Sequence, residues 1–174
     1  YNAYKYFDKK NIIPTENDTI FRKQIIKGYV HDMGAAMQGG IGAHAGLFSN
    51  ANNLAILMQM FLQKGNYGEE YYLSSKTIDD FIRCQFFENE NRRGLVFDKP
   101  VLENQEGGTA SKNVSATSFG HSGFTGTLVW ADPHTNVIFV FLSNRTYPYA
   151  SNSKLLDMNV RTDIMEIIFD YFND

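Results

Sequence analysis

The clearest hydrophobic pattern in the first half of the chain lies between residues 51 and 64. Five apolar side chains recur there at offsets 0, 3, 4, 7 and 8, the spacing of one helix face: Leu54, Leu57, Met58, Phe61 and Leu62. Ser49 or Asn50 can cap the start of this helix, and Gly65 can end it in the left-handed conformation. A second, shorter helix is predicted from residue 75 to residue 84.

The second half of the chain has the pattern of a β-sheet. Apolar runs at 127–131 and 137–142 flank the turn sequence 132–136, which together predict an antiparallel hairpin. The second run is apolar at six successive positions, so we expect both of its faces to be covered. Residues 118–127 predict a further strand, and 94–97 form a short strand at best.

The last segment predicts an amphipathic helix that can lie across this sheet. Its apolar positions fall at offsets 0, 4, 7, 8 and 11: Val160, Ile164, Ile167, Ile168 and Tyr171. The order of helices, then strands, then a helix predicts an α+β fold, an antiparallel sheet with a C-terminal helix packed on it plus part of a helical subdomain. We expect one domain over 1–174, with 1–90 mostly loop and helix and 91–174 holding the strands and terminal helix.

Composition narrows the function classes without choosing among them. The net charge of −3 gives no general field that attracts nucleic acid or anionic membranes. No run approaches the roughly 18 apolar residues of a membrane span. The N-terminal sequence Tyr-Asn-Ala-Tyr-Lys resembles neither a signal peptide nor a natural start, so we expect the chain to be a piece of a longer protein.

Metal and cofactor chemistry are not predicted. Cys84 is the single cysteine, which excludes an internal disulfide and a thiolate metal site, and we expect it to be a buried, inert thiol in the second helix. The four histidines do not recur at metal-ligand spacing: His31, His44, His121 and His134. The glycines of 40–46 have the wrong spacing for a dinucleotide loop.

The segment Ser118–Thr127 is the most informative for chemistry. It predicts a strand that carries His121 and Ser122, followed by Gly123, and a glycine in a strand allows close approach. An edge strand of this kind offers an imidazole, a hydroxyl and a free N–H along one line, which are the parts of an oxyanion and carboxylate clamp. The alternative is that the glycines serve a bulge and Ser122 is merely a surface residue. Spacing alone leaves both open.

The tetrapeptide Gly120-His121-Ser122-Gly123 resembles the third motif of the serine β-lactamase and penicillin-binding superfamily. In that family a Lys or His, a Ser or Thr, and a Gly lie on the sheet edge beside the active site. The following Trp-bearing strand, the tight turn and the apolar strand that ends at Leu142-Ser-Asn-Arg145 also resemble the family, as does the terminal helix.

The first third of the chain resembles class C β-lactamase-related esterases. In particular it is similar to the hydrolase domain fused behind some bacterial family three β-N-acetylhexosaminidases. The matching stretches are Pro14-Thr-Glu16, Arg22, Gly28-Tyr-Val-His-Asp32 and Gly39-Gly-Ile-Gly-Ala-His-Ala-Gly-Leu-Phe-Ser49.

The resemblance implies roles for single residues. The backbone N–H of Phe124 would form half of an oxyanion hole, and Ser122 would hydrogen-bond the substrate. His121 would stand where other members have a lysine, which would make the field of the site depend on pH. Gly123 and Thr125 would belong to the substrate-binding set.

His44 lies between small residues in the glycine-rich block. The resemblance adds it to the substrate-binding residues. A histidine in that setting more often fixes a loop than touches a substrate, and both readings stay open.

The chain departs from the family in its nucleophile. The family places a Ser-x-x-Lys motif well before the third motif, whereas Ser151-Asn-Ser-Lys154 comes after it. Ser111-Lys-Asn113 matches a second-motif variant but begins only ten residues before His121. Ser122 lies outside Gly-x-Ser-x-Gly, because Phe124 takes the place of the last glycine. We therefore expect the C-terminal half of a domain, inactive by itself, since Ser122 has no evident base.

The implied function of the parent protein is acyl transfer to water through an acyl-serine. The substrate would be an ester, a peptidoglycan-type amide or a β-lactam, and the location bacterial, periplasmic or otherwise extracytoplasmic. The alternative is a non-catalytic module that binds cell-wall sugar or peptide for an attached glycosidase. Expected partners are the N-terminal half of the same domain and, through an open sheet edge, a second copy of the chain.

Overall fold

A computed structural model describes residues 1–102 and 107–173. Along the chain the strands are β1 (Pro14–Asp18), β2 (Gln24–Lys27), β3 (Asn66–Tyr67), β4 (Glu70–Tyr71), β5 (Phe119–Ser122), β6 (Leu128–Asp132) and β7 (Val137–Phe141). The α-helices are α1 (Met33–Met37), α2 (Ala51–Leu62), α3 (Ser75–Ile82), α4 (Lys154–Asp157) and α5 (Val160–Asn173). Short 3-10 turns span Ala3–Lys5, Lys9–Asn11 and Phe87–Asn89.

The chain divides into two compact units. The first unit contains Tyr1–Asn50, Phe124–Gly126 and Ser143–Met158. The second contains Ala51–Gly123, Thr127–Leu142 and the segment from Asn159 onward. The prediction of one domain over 1–174 is not tested by this division and stays a prediction.

The first unit is built on an antiparallel hairpin of β1 and β2, with Glu16 opposite Ile26 and Asp18 opposite Gln24. The sequence did not predict this hairpin, because β1 has no apolar alternation. Its sequence is Pro-Thr-Glu-Asn-Asp, and Thr15, Glu16 and Asp18 are buried polar residues. The strand is held by hydrogen bonds and ion pairs instead of an apolar face.

The second unit is built on an antiparallel sheet with the strand order β5-β6-β7. His121 lies opposite Val129, and Ser122 lies opposite Leu128. β6 and β7 pair from Leu128 opposite Phe141 to Asp132 opposite Val137. The predicted hairpin and the strand before it are therefore confirmed, with bounds shifted by a residue or so.

Each face of this sheet is covered, as the six-residue apolar run predicts. Alternate residues of a strand point to opposite faces. One face packs Leu128, Trp130 and Phe139 against α5, through Met165 and Phe169. The other face packs Phe119 and Ala131 against Met58 of α2, Ile78 and Ile82 of α3, and Phe97. The α+β prediction is thus confirmed.

The two predicted helices of the first half are present. α2 ends at Leu62, and the chain then reaches Gly65, whose φ of 98° is in the left-handed region. A Cβ at Gly65 would lie 1.9 Å from the carbonyl oxygen of Leu73, so glycine is required there. α3 begins after Ser74, whose hydroxyl accepts a hydrogen bond from the Thr77 N–H at 3.1 Å.

The terminal helix forms as predicted, but the predicted apolar stripe is only partly its buried face, through Ile168. Met165 and Phe169 are fully buried, whereas Ile167 and Tyr171 are 72% and 77% exposed. The helix carries apolar residues on more than one side. Periodicity alone therefore cannot show which side meets the sheet.

Two smaller predictions are also corrected. Cys84 lies beyond α3, is partly exposed, and its thiol lies 2.9 Å from the Asn91 carbonyl oxygen. Residues 94–97 form no strand; the neighbouring Asp98 makes an isolated β-bridge to Gly120. Among the described residues, every helix is too short or too polar to cross a membrane.

Candidate active site

Strand β5 positions His121 and Ser122 at its C-terminal end. The ladder to β6 holds both residues, and His121 is exposed while Ser122 is half-buried. A close approach occurs at Gly120 in the same strand, and the one expected at Gly123 stays a prediction. A Cβ at Gly120 would lie 2.2 Å from the Val129 carbonyl oxygen and 2.4 Å from the Trp130 ring. Trp130 therefore requires a glycine in this strand.

The imidazole of His121 has a defined tautomer. Its Nδ1 lies 2.7 Å from the carbonyl oxygen of Ser122. A carbonyl only accepts, so Nδ1 carries the hydrogen and donates it. In the neutral ring Nε2 then holds the lone pair, and it lies 3.5 Å from Nη1 of Arg93, which can donate to it. The strand thus presents a basic nitrogen beside a guanidinium.

Arg93 belongs to a charged cluster on the outer side of β5. Asp98 is buried, and its carboxylate lies 3.1 Å from Nε of Arg92 and 3.9 Å from Nη2 of Arg93. The backbone of Asp98 exchanges two hydrogen bonds with Gly120, at 2.7 and 3.1 Å. Sequence reasoning missed this cluster. The only signal was the adjacent Arg92-Arg93 pair in an otherwise polar segment.

A buried lysine follows this aspartate. Nζ of Lys99 donates a hydrogen bond to the Thr117 carbonyl oxygen at 2.9 Å. Burial lowers the pKa of Lys99 to about 8. Lys99, Arg92 and Arg93 are thus three basic side chains near β5, with Asp98 between the two arginines.

The segment Phe124–Gly126 belongs to the first unit, where residues 143–145 bind all three of its carbonyl oxygens. Nε of Arg145 donates to Phe124, the backbone N–H of Arg145 donates to Thr125, and the Ser143 hydroxyl donates to Gly126, each at 2.8 Å. The N–H of Phe124 makes no hydrogen bond to any residue of the described ranges. With respect to residues 1–102 and 107–173, this N–H is therefore a free donor.

The ring of Phe124 is held by two further contacts. The His31 ring stacks on it at 5.1 Å between centroids with an interplanar angle of 13°. The Arg145 guanidinium carbon lies 4.3 Å from the ring centroid, a cation–π geometry. Nδ1 of His31 lies 3.0 Å from Oε1 of Glu16, a close contact that lacks hydrogen-bond geometry.

Below His31 lies a buried charge cluster on β1. Arg22 reaches Glu16 at 2.5 Å and Asp18 at 2.6 Å, and it also donates to the carbonyl oxygens of Val30 and His31. Burial alone would raise the pKa of Asp18. Hydrogen bonds from Arg22 and from the backbone N–H groups that follow Asp18 outweigh it and hold this pKa well below its usual range. The motif residues Glu16, Arg22 and His31 thus shape the fold around Phe124.

His44 contacts a helix cap. Its Nε2 lies 2.9 Å from Oδ1 of Asp32, which also accepts the Ala35 N–H at 2.7 Å and so caps α1. The Ala35 N–H first, and His44 second, lower the pKa of Asp32. This contact supports the loop-fixing interpretation of His44.

The two Ser-containing sequences that match other family motifs have structural contacts. Ser111 is fully buried, and its hydroxyl accepts the Asn113 N–H at 3.1 Å. Ser151 lies in an exposed turn ahead of α4, and no hydrogen bond joins it to Lys154 within the part of the chain described. Neither arrangement resembles a serine activated by a base.

The residues that could act chemically thus fall into two groups. His121, Ser122 and Arg93 lie together on and beside β5. Phe124, with its free N–H, is held by His31 and Arg145. No cluster of three or more His, Cys, Asp or Glu suitable for a metal ion occurs within residues 1–102 and 107–173.

Comparison with known proteins places this chain in a family. The Beta-lactamase family model matches residues 4–158, so the chain belongs to the Beta-lactamase family. Proteins named "Putative D-alanyl-D-alanine carboxypeptidase" from Salmonella typhi and Salmonella paratyphi B are each 33% identical over 141 residues. These matches cover 77% of this chain and 31% of each relative, so the chain spans about a third of their length.

A solved structure shows the same fold. A β-lactamase from Mycobacterium bovis superposes with a TM-score of 0.55 at 18% sequence identity, over 74% of this chain and 46% of that one. The β-lactamase-like resemblance seen in the sequence is therefore confirmed.

Proposed function

We propose that this chain is the third-motif portion of a serine hydrolase that works through an acyl-serine. The observation that carries the proposal is the free N–H of Phe124, next after the His-Ser-Gly motif, on a segment whose three carbonyl oxygens are all bound. Membership of the Beta-lactamase family supports it. A fixed, unpaired N–H in this position is what an oxyanion hole requires.

Each motif residue has a role in this proposal. The Phe124 N–H donates to the oxyanion that forms when a serine oxygen attacks the substrate carbonyl. The Ser122 hydroxyl hydrogen-bonds the substrate. His121, with Nδ1–H bound to the Ser122 carbonyl oxygen, offers its Nε2 for proton transfer, and Arg93 adds positive charge beside it.

The remaining sequence-predicted residues keep smaller roles. Gly123 and Thr125 line the substrate, and His44 acts through the loop it fixes. The nucleophile belongs to the longer protein and is not Ser151, since residues 151–154 form an exposed segment that leads into α4.

The substrate classes are an ester, a peptidoglycan-type amide or a β-lactam. The serine oxygen forms a bond to the carbonyl carbon, the bond from that carbon to the leaving oxygen or nitrogen breaks, and the leaving atom takes up a proton. Water then hydrolyses the acyl-serine. Bacterial relatives named for D-alanyl-D-alanine favour the amide and an extracytoplasmic location near the cell wall.

A second candidate is a non-catalytic module that binds cell-wall sugar or peptide for an attached glycosidase. The observation in its favour is Phe124, a residue that is 63% exposed although Arg145 contacts its ring. Exposed aromatic rings suit sugar faces. The sequence upstream of residue 1 discriminates the two, because a Ser-x-x-Lys followed by Tyr-x-Asn is required only by the enzyme.

The Phe124 N–H can be tested by comparing two substitutions in the full-length protein. Phe124→Pro removes the N–H, whereas Phe124→Ala removes the same ring and keeps the N–H. We expect kcat with a p-nitrophenyl ester to fall by about 10²- to 10³-fold more in Phe124→Pro than in Phe124→Ala, the usual effect of one oxyanion donor.

Two controls accompany this measurement. Thermal unfolding shows whether each variant is folded, and Ser151→Ala should retain activity. Equal kcat in the folded Pro and Ala variants would remove the oxyanion role. An inactive, folded Ser151→Ala protein would show that the site has been placed wrongly.

A further inference from the structure

We propose that Arg145 is a positioning residue that sets the direction of the Phe124 N–H. The inference rests on the proposed function and extends it to a residue outside the third motif. Arg145 touches neither the substrate nor the reacting atoms in this proposal; it acts through Phe124.

Arg145 holds Phe124 at two points. Its Nε donates to the Phe124 carbonyl oxygen at 2.8 Å, and its guanidinium carbon lies 4.3 Å from the Phe124 ring centroid. The backbone carbonyl and the side chain of one residue are thus fixed together. With both held, movement of the Phe124 Cα is restricted, and so is the direction of its N–H.

The guanidinium is itself fixed on its other side. Nη1 of Arg145 donates to the carbonyl oxygens of Ala150 and Asn152, at 3.0 and 3.1 Å. Three carbonyl oxygens around one planar group require the fork geometry of arginine. Lysine has a single nitrogen and can serve only part of this set.

The residues on either side of Arg145 are hydrogen-bonded to β1. The Thr146 hydroxyl donates to the Thr15 carbonyl oxygen at 2.8 Å, and the Asn144 side chain binds the Pro14 and Thr15 carbonyls. Thr146 is fully buried. Arg145 therefore extends from a rigid base and not from a free loop.

The consequence for catalysis follows from preorganisation. An oxyanion donor contributes only if it already points to where the charge develops, since reorienting it during the reaction costs free energy. Loss of the Arg145 contacts would leave the N–H present but misdirected. The effect should appear in kcat and much less in KM, because the ground-state substrate does not depend on this donor.

The test uses the full-length protein with Arg145→Gln and Arg145→Lys. Arg83→Gln is the matched control, because the same chemical change is made at an exposed ion pair on the end of α3. The first readout is the rate at which chymotrypsin cuts the native protein between Phe124 and Thr125, identified by fragment mass. The second is kcat and KM with a p-nitrophenyl ester.

We expect faster cleavage after Phe124 in Arg145→Gln and a fall in kcat of up to about 100-fold, the cost of a misplacement near 1 Å. KM should stay within about threefold. Arg145→Lys should lie between Gln and the wild type, since an ammonium can keep one carbonyl contact and its charge. Arg83→Gln should behave as the wild type.

The outcomes separate the inference from the function beneath it. If mass spectrometry detects no acyl-serine on the wild-type protein, the proposed function is overturned, and with it any role of Arg145 in catalysis. If the wild type is acylated, unchanged cleavage and kcat in Arg145→Gln would overturn the inference alone. So would a rise in KM at constant kcat, which marks a substrate contact. If Arg145→Gln does not fold, Arg145→Lys decides by the same criteria.

Discussion

At the scale of single residues, the molecule depends on charges that are buried with their partners. Asp18 accepts hydrogen bonds from the backbone N–H groups of Ile20, Phe21 and Arg22, at 2.8 to 3.0 Å, as well as from the Arg22 side chain. A buried ion is tolerated only when its hydrogen-bonding capacity is filled in this way. Removing the charge from Asp18 takes away one of the two carboxylates that pair with the buried Arg22 and leaves it only Glu16 among the described residues.

The first stability prediction concerns Asp18→Asn. We expect this change to cost about 3 kcal/mol of unfolding free energy near pH 7, as for other broken buried pairs. The pKa of Asp18 is lowered by folding from 3.8, so its contribution is present above that pH and is lost as the pH falls below it. Wild type and variant should therefore converge in acid. Urea unfolding from pH 7 down to about pH 2 measures this, because the contribution is lost only as the pH falls well below 3.8.

A surface control separates this effect from general charge loss. Asp80 pairs with Arg83 at 3.3 Å and its side chain is 48% exposed. Asp80→Asn should change stability by no more than about 0.5 kcal/mol at any of these pH values. A difference between wild type and Asp18→Asn that does not depend on pH would refute the linkage.

At the scale of elements, the packing of α5 on the sheet distinguishes two positions that look alike in sequence. Phe169 is fully buried beside Trp130, whereas Ile167 is 72% exposed. Phe169→Ala should cost about 3–5 kcal/mol, the range for a large buried aromatic. Ile167→Ala should cost less than about 0.5 kcal/mol. Urea denaturation of the two variants measures which loses more unfolding free energy. A larger loss in Ile167→Ala would show that the face predicted from periodicity is the buried one.

The elements also show how far sequence reasoning reaches. α2, the β6–β7 hairpin and the existence of α5 follow from local periodicity, because each buries an apolar face of its own. The β1–β2 hairpin does not, since its buried residues Glu16 and Asp18 are polar and paired with Arg22, and polar residues give no apolar alternation. Hydrophobic periodicity predicts which apolar side chains are buried, but it cannot predict buried ion pairs.

The same limit applies to the candidate site. The His-Ser-Gly motif at 121–123 could be found because its residues are consecutive. The contacts of Arg93 with His121 and of Arg145 with Phe124 span 28 and 21 residues, and no short pattern reports them. In the sequence, Arg145 stands out only as the end of an apolar strand.

At the scale of the whole molecule, the sheet of the second unit has an edge at β7, whose only neighbour among the described strands is β6. The exposed side of α5 adds apolar surface at Ile167 and Tyr171. Unpaired strand edges and apolar patches are templates for association. We therefore predict that the isolated 174-residue chain self-associates or requires further chain for a stable monomer, and that it is inactive.

Sedimentation at micromolar concentration and ester hydrolysis by the same sample test both parts. Ile167→Lys should reduce association without unfolding the chain, because this side chain faces away from the core. A compact 19.8 kDa monomer with a cooperative thermal transition would contradict the first part. Saturable turnover that is lost in Ser122→Ala would contradict the second.

The hydrogen bonds from Arg145 to backbone carbonyl oxygens have a consequence for which substitutions the chain tolerates. Every amino acid supplies a carbonyl, so the partner at Ala150 is recognised without regard to its side chain. A library randomised at position 150 should therefore return many residue types. One randomised at position 145 should return arginine, because no other side chain places donors toward three separate carbonyls in one plane. The position of Phe124 thus depends on the residue type at position 145, whereas the side chain at position 150 can vary.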